Sequence, residues 1–287
     1  MTRGSSAIRV LWSAVIALAA AGAACAQTYD LNARYPTGAV LEVRETQEVR
    51  VKVLSGMLKP PDGDIRRLDR ATVRYRVLKD EAGFPTSQEA IIVSSRSTVE
   101  EPGSEPVRER SPVEGVRILV QAMPNGERRY RRVDGAELDG GDADCCDHLP
   151  VSLTAGLDLG AVEVGAEWTV PPEVARQALG LGEGGSAQVK LKFAGVVTEG
   201  GNPAARIAFS VSSERAADPG GIPQVRSRYS GEYLLDLHTH LPRFVTATGD
   251  AHLALPGGGE DGLDLVLAGP MKMTIFYEPL PQMAPAQ

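Results

Sequence analysis

Two cysteines stand side by side in Asp142-Ala143-Asp144-Cys145-Cys146-Asp147-His148. Adjacent cysteines join each other through a strained ring or join separate chains, and a strained disulfide is the more easily reduced kind. The expectation is a structural vicinal disulfide; an intermolecular bond, a metal site and redox chemistry are the alternatives. Two thiolates, His148 and nearby carboxylates suit zinc or copper. Adjacent cysteines reach one tetrahedral ion awkwardly, however, and no Cys-x-x-Cys spacing is present. His238 and His240, in Asp236-Leu237-His238-Thr239-His240, would share one face of a strand. They fall on the polar face, opposite Leu235 and Leu237, where exposed histidines are the simpler reading. These five residues are weak metal candidates, and no cofactor is expected.

Catalytic constellations are missing. There is no Gly-x-Ser-x-Gly elbow, no His-Glu-x-x-His, no Walker loop and no Gly-x-Gly-x-x-Gly. The glycine runs from Gly180 to Gly185 and at Gly257-Gly258-Gly259 have no phosphate-binding Lys beside them and read as turns. A non-enzymatic role is expected. The formal charge is −7, and losing Arg3 and Arg9 would deepen it by two. Nucleic acid is therefore a poor partner, because phosphate contacts need clustered Lys and Arg. The one basic run, Arg128-Arg129-Tyr130-Arg131-Arg132, reads as a solvated strand, with an anion-binding patch as its alternative.

What must position these residues is a set of strands. Leu41, Val43, Val49, Val51 and Val53 alternate with Glu42, Arg44, Glu48, Arg50 and Lys52, the pattern of a strand with one wet face. Val73-Tyr75-Val77, Ile91-Val93, Val116-Ile118-Val120, Val189-Leu191-Phe193, Ile207-Phe209-Val211 and Leu263-Leu265-Leu267 repeat it, as does Met271-Met273-Ile275-Tyr277. About ten strands separated by Gly- and Pro-rich breaks predict a mainly β fold. Its form is a large curved antiparallel sheet, a half-barrel or sandwich-like meander. One short helix is expected around 172–179, opened by Pro172 and stopped by Gly180. Loops are expected at Gly56 to Asp64, Glu101 to Pro112, Gly135 to Pro150, Glu214 to Pro223 and Pro256 to Gly262. Trp168, the only tryptophan after the leader, is expected to anchor the core.

The leader is residues 1–26. A basic start at Arg3 and Arg9, an apolar run from Val10 to Ala24 and the small residues Ala24 and Ala26 have the layout of a secretory signal peptide. The chain would then begin near Gln27 and work in the periplasm or outside the cell. Cys25 leaves an alternative: acylated, it would make an outer-membrane lipoprotein, and only then would the membrane be a partner. Residues 27–278 are expected to form a single all-β domain, with a possible sub-boundary at 135–150 and a disordered tail at 279–287.

Val164-Gly165-Ala166-Glu167-Trp168 and Gly231-Glu232-Tyr233-Leu234-Leu235-Asp236 together resemble a group of uncharacterised secreted bacterial proteins. Their shared pattern is Val-Gly-x-x-Trp followed by Gly-x-Tyr-x-x-Asp, and here it covers about Leu157 to Tyr277. The resemblance implies an exported β-sheet protein and brings no activity with it. A curved sheet with a helix on its concave face is also similar in architecture to periplasmic lipoprotein carriers of the LolA and LppX type, which hold acyl chains between sheet and helix. The reading that follows is an envelope binding module, with Val189, Leu191, Phe193, Ile207, Phe209, Leu235 and Leu237 lining a space for a lipid or apolar small molecule. The same residues could simply pack a solid core. The alternative is a structural envelope protein with a protein partner and no small ligand.

Overall fold

Long runs of strict alternation leave the backbone little choice but extended structure. The computed structural model describes residues 27–56, 63–81, 83–123, 128–136, 138, 160–179, 181, 184–216, 224–257 and 264–281. The expected signal peptide, Cys145, Cys146 and His148 lie outside the described residues. Among the described residues the strands are β1 (Thr28–Asp30), β2 (Val40–Ser55), β3 (Ile65–Glu81), β4 (Phe84–Glu100), β5 (Val107–Arg110), β6 (Arg117–Ala122), β7 (Arg128–Arg132), β8 (Ala161–Glu163), β9 (Glu167–Val170), β10 (Gly185–Glu199), β11 (Asn202–Arg215), β12 (Gln224–Asp236), β13 (Pro242–Leu255) and β14 (Leu265–Leu280). One helix, α1 (Pro172–Ala178), packs on β10. No described helix is long and apolar enough to cross a membrane.

β1 and β8 form a small ribbon. The other strands make one antiparallel sheet of 12 in the order β7-β6-β4-β3-β2-β14-β13-β12-β11-β10-β9, with β5 added on β4. The sheet is large, curved and unclosed. Its join is between the first long strand and the last: Leu41 pairs with Pro279 and Val49 with Met271. The division weighed at 135–150 therefore does not divide the sheet. β14 also runs to Leu280, past the expected start of a tail at 279, because Pro279 and Leu280 still pair with β2.

One face, called inner here, carries the core. Its rows follow from the register. Phe193, Ile207, Tyr233, Val245 and Ile275 line up across β10, β11, β12, β13 and β14, and all are buried. Val73, Tyr75, Val77, Ile92 and Ile118 belong to the same apolar cluster. A strap formed by residues 28–35 lies across this end. Tyr29 meets Phe193 edge-on with ring centroids 5.3 Å apart. Arg34 N–H then donates to His240 C=O and Tyr35 N–H to Gly83 C=O. Leu31, Ala33 and Tyr35 point every second residue into the core and are buried.

Three expectations need correction. Val93 is exposed while Ile92 is buried; Thr72 pairs with Ser94 but Val73 with Ile92, so a bulge inserts Val93 and flips the parity of β4. The expected loop at 101–112 contains a strand, β5. The pair His238 and His240 lies beyond the end of β12, in a turn, so strand alternation does not place them on one face. Gly231 and Gly249 stand where strands approach closely: a Cβ there would lie 1.9 Å from Thr246 O and 2.0 Å from Arg228 O. Only glycine fits such positions, which suit a sharply curled sheet.

Candidate functional site

The residues expected to line a ligand space are core. Val189, Leu191, Phe193, Ile207, Phe209 and Leu235 are 0–5% exposed. Leu237 sits half-buried in the turn after β12. Trp168 of β9 pairs with Leu191 and packs partly buried on the same cluster. The strap covers Phe193, so a ligand would have to displace packed side chains to reach this end.

His238 and His240 sit in the turn that follows β12. The turn holding His238 is organised by Asp236, whose Oδ1 accepts from the backbone N–H of His238 at 2.7 Å and of Thr239 at 2.8 Å. His240 has φ of 56°, and its Nδ1 is buried with no hydrogen-bond partner. Among the described residues no group of three His, Cys, Asp or Glu is placed to hold a metal. In the basic run, Tyr130 packs on the core while Arg129 and Arg131 are exposed, and Arg132 pairs with Asp134.

The other end of the inner face is different. There the register aligns Val53, Leu267, Leu253 and Val225 in one row across β2, β14, β13 and β12. A second row holds Val49, Met271, Gly249, Tyr229 and Val211. Between them runs a row of small residues: Gly269, Ala251, Ser227, Ser213 and Ala187. Small side chains flanked by large ones make a trough across the strands. Its flanking apolar side chains are half-buried, apart from buried Val211, and the one described helix packs on β10, the strand that carries Ala187 at the end of the small-residue row. The two serine hydroxyls in its floor satisfy each other, Ser213 Oγ to Ser227 Oγ at 2.7 Å, so the trough asks little hydrogen bonding of an occupant.

Beside the trough the same face turns polar. A cleft of about 290 Å3 is lined by Glu45, Gln47, Arg67, Asp69, Ser95, Ser97, Glu109 and Arg110 among others. Gln47 pairs with Met273, which adjoins Met271, so cleft and trough are continuous. Arg67 Nε donates to both Asp69 carboxylate oxygens at 3.0 and 2.9 Å. Glu45 is half-buried and receives no hydrogen bond among the described residues. Burial and then the nearby Asp69 charge push its carboxyl up to about 7. Ser97 Oγ is also buried with no partner. Sequence reasoning passed over this cleft. Its signal was present: Glu45 and Gln47 are the two polar residues at odd positions that interrupt the apolar alternation of β2.

A shallow hollow of about 840 Å3 runs along Glu214, Arg226, Arg228, Asp250 and His252, with Ala187, Ser213, Ser227, Ala251 and Gly269 of the small-residue row also in its lining. Its walls are water-facing polar side chains, with Arg226 already held by Glu214 at 2.9 Å.

No protein-family profile matches this chain, and no curated protein matches it. Among solved structures it is similar to a lipovitellin structure concerned with lipid–protein interactions, at 9% identity and a TM-score of 0.48, over 88% of this chain. That alignment covers 26% of lipovitellin, so this chain spans about a quarter of its length. It is also similar to DynF of the dynemicin biosynthesis pathway of Micromonospora chersina, at 9% identity and a TM-score of 0.26, over 91% of this chain and 88% of that one. At these scores neither likeness bears on function.

Proposed function

We propose that this chain is an exported, non-catalytic binding domain of the bacterial envelope that holds an apolar ligand or lipid in the trough of its inner face. The trough carries the reading. Folding normally buries large aliphatic side chains, yet Val53, Leu253, Leu267 and Met271 stay half-buried beside a floor of small residues. Water is the poorer neighbour for such a surface by about 25 cal/mol per Å2 of apolar area. An elongated chain lying across five strands, spaced about 4.8 Å apart, would cover it. Export is supported by the layout of residues 1–26, and an exported β protein is what the Val164 to Trp168 and Gly231 to Asp236 pattern suggests.

The test is mass spectrometry of the chain exported through its own leader, native and then denaturing, joined to a fluorescence titration with 1-N-phenylnaphthylamine. The expected result is a chain starting at Gln27, a co-purifying mass released on denaturation, and saturable probe binding that Leu253→Glu abolishes without lowering helix-free β content by circular dichroism. A naked chain that binds no probe would overturn the reading.

A further inference from the structure

The face of the sheet opposite the core, the outer face, carries a row of cations that the fold leaves unanswered. Arg70, Arg96 and Arg110 are chain neighbours of the inner-facing Asp69, Ser97 and Glu109, so alternation turns all three arginines outward. The register sets Arg70 directly opposite Arg96, and Arg96 directly opposite Arg110, across β3, β4 and β5. All three are exposed. Arg108 stands on the same face of β5, opposite Thr98. Like charges directly opposite one another destabilise a sheet, and a solvated face has no need of three in a row.

The acids of this face are already engaged. Glu48 and Glu100 hold Arg66, Glu42 holds Arg74 and Glu89 holds Arg117. Among the described residues Arg70, Arg96, Arg108 and Arg110 form no ion pair. Close by, the same face turns apolar. Phe244 and Phe276 stand opposite each other on β13 and β14 with ring centroids 4.9 Å apart, and Phe276 is 51% exposed. Half-buried Leu234 extends the row on β12, and Arg44, bonded to Glu278, closes it on β2. Two strand spacings of about 4.8 Å and two residues of about 3.4 Å separate Phe276 from Arg70. An aromatic pair left on a wet face marks a contact surface, and here it lies beside unpaired guanidinium groups.

We infer that this outer face rests on an anionic lipid bilayer, with the arginine row against the head-group phosphates and the Phe244–Phe276 pair at the boundary between head groups and acyl chains. A guanidinium meets a phosphate through two parallel hydrogen bonds and gives up its hydration more readily than an ammonium. Buried apolar surface and attraction to anionic lipid are the two contributions that hold an element in the plane of a membrane, and this face supplies both. A nucleic-acid duplex would meet the arginines and leave the phenylalanine pair in water. The formal charge of −7 on the whole chain opposes the approach only weakly, because at physiological salt charges beyond about 8 Å are largely screened. No acyl group at Cys25 is required. The contact lies on the opposite face from the trough and does not depend on what the trough holds.

Flotation of the chain beginning at Gln27 tests this, with vesicles of phosphatidylcholine alone and with vesicles containing about one-third phosphatidylglycerol. The expected result is binding to the anionic vesicles, little to phosphatidylcholine, and release at about tenfold higher salt. Arg70→Gln combined with Arg96→Gln should lower the partition at least about tenfold, since each surface arginine is worth roughly a fivefold factor. Both side chains are exposed, and relieving their opposition leaves the fold intact. Phe276→Ser should lower the partition about threefold or more. Lys190→Gln combined with Lys192→Gln removes the same charge from the far end of the outer face and should change it by less than about twofold. Each variant should bind phenylnaphthylamine as wild type does. No binding to the anionic vesicles, equal binding to phosphatidylcholine, or a lysine variant that loses as much as the arginine variant would each overturn the inference. So would retention on heparin without vesicle binding, which would make the row a site for a soluble polyanion. None of these outcomes bears on the trough, which the phenylnaphthylamine signal reports separately.

Discussion

Glu45 of β2 stands opposite Ile275 of β14, placing a carboxyl in the row that otherwise runs Ile275, Val245, Tyr233, Ile207 and Phe193.

That placement has a stability consequence. In the unfolded chain Glu45 titrates near 4.5, and in the fold near 7. Below pH 4.5 it is neutral in both states and carries no penalty. Between those values the folded chain holds a proton the unfolded chain has released, so stability falls as pH rises, and the loss is complete above about pH 7. A shift of this size corresponds to at most about 3 kcal/mol. Glu45→Gln keeps the shape and removes the charge. Urea unfolding should show the variant matching wild type at pH 4 and more stable than it by about 1–3 kcal/mol at pH 8. Equal stability at pH 8 would mean the carboxyl is better solvated than its position implies.

The strap makes a second prediction. Leu31 is 0% exposed and is held between Tyr29, edge-on to Phe193, and Arg34, bonded to His240. Leu31→Ala leaves a hole at a point where strap, β10 and the β12–β13 turn meet, and such truncations cost about 2–5 kcal/mol. A thermal melt should fall accordingly. Arg34→Ala, whose contact to His240 is through the backbone, should cost under about 1 kcal/mol, although it also releases an exposed ion pair with Asp30.

Much of this fold was legible because a two-residue period survives any tertiary context. It named the faces of β2, β3, β10 and β11 residue by residue, and it would have named the strap, where Tyr29, Leu31, Ala33 and Tyr35 also alternate. It could not say how far along each strand the cover extends. Leu235 and Leu253 are alike in sequence terms, yet one lies under the strap and the other on the open trough; register across long-range pairs decides that. The bulge at Val93 was equally hidden, since one unpaired residue leaves no mark in composition. Asp236 was readable only as the last residue of a short motif, and the fold shows what the motif does: Gly231 permits close strand approach, Tyr233 fills the core and Asp236 builds the turn.

Asp236 is 2% exposed, and its role there gives a third prediction. Burial alone would raise its pKa. The N–H groups of Thr239 and His238 and the Arg243 guanidinium outweigh that and hold it below the usual carboxylate range. Arg243 is itself tied to Glu199 C=O at 2.7 Å, so the carboxylate links the β12–β13 turn to the end of β10. Asp236→Ala strands two N–H groups and a largely buried guanidinium, a loss of about 3–5 kcal/mol. Asp236→Asn keeps an acceptor for the turn but not the charge, and should lose about half as much. Because the folded pKa is the lower one, this stabilisation is present above pH 4 and fades as pH falls below it. The gap between wild type and Asp236→Asn should therefore narrow from pH 7 to pH 3 in denaturant titrations; the Glu45→Gln gap also closes toward acid but has the opposite sign, the variant being the more stable, because acid protonates a carboxyl that the fold would rather keep neutral.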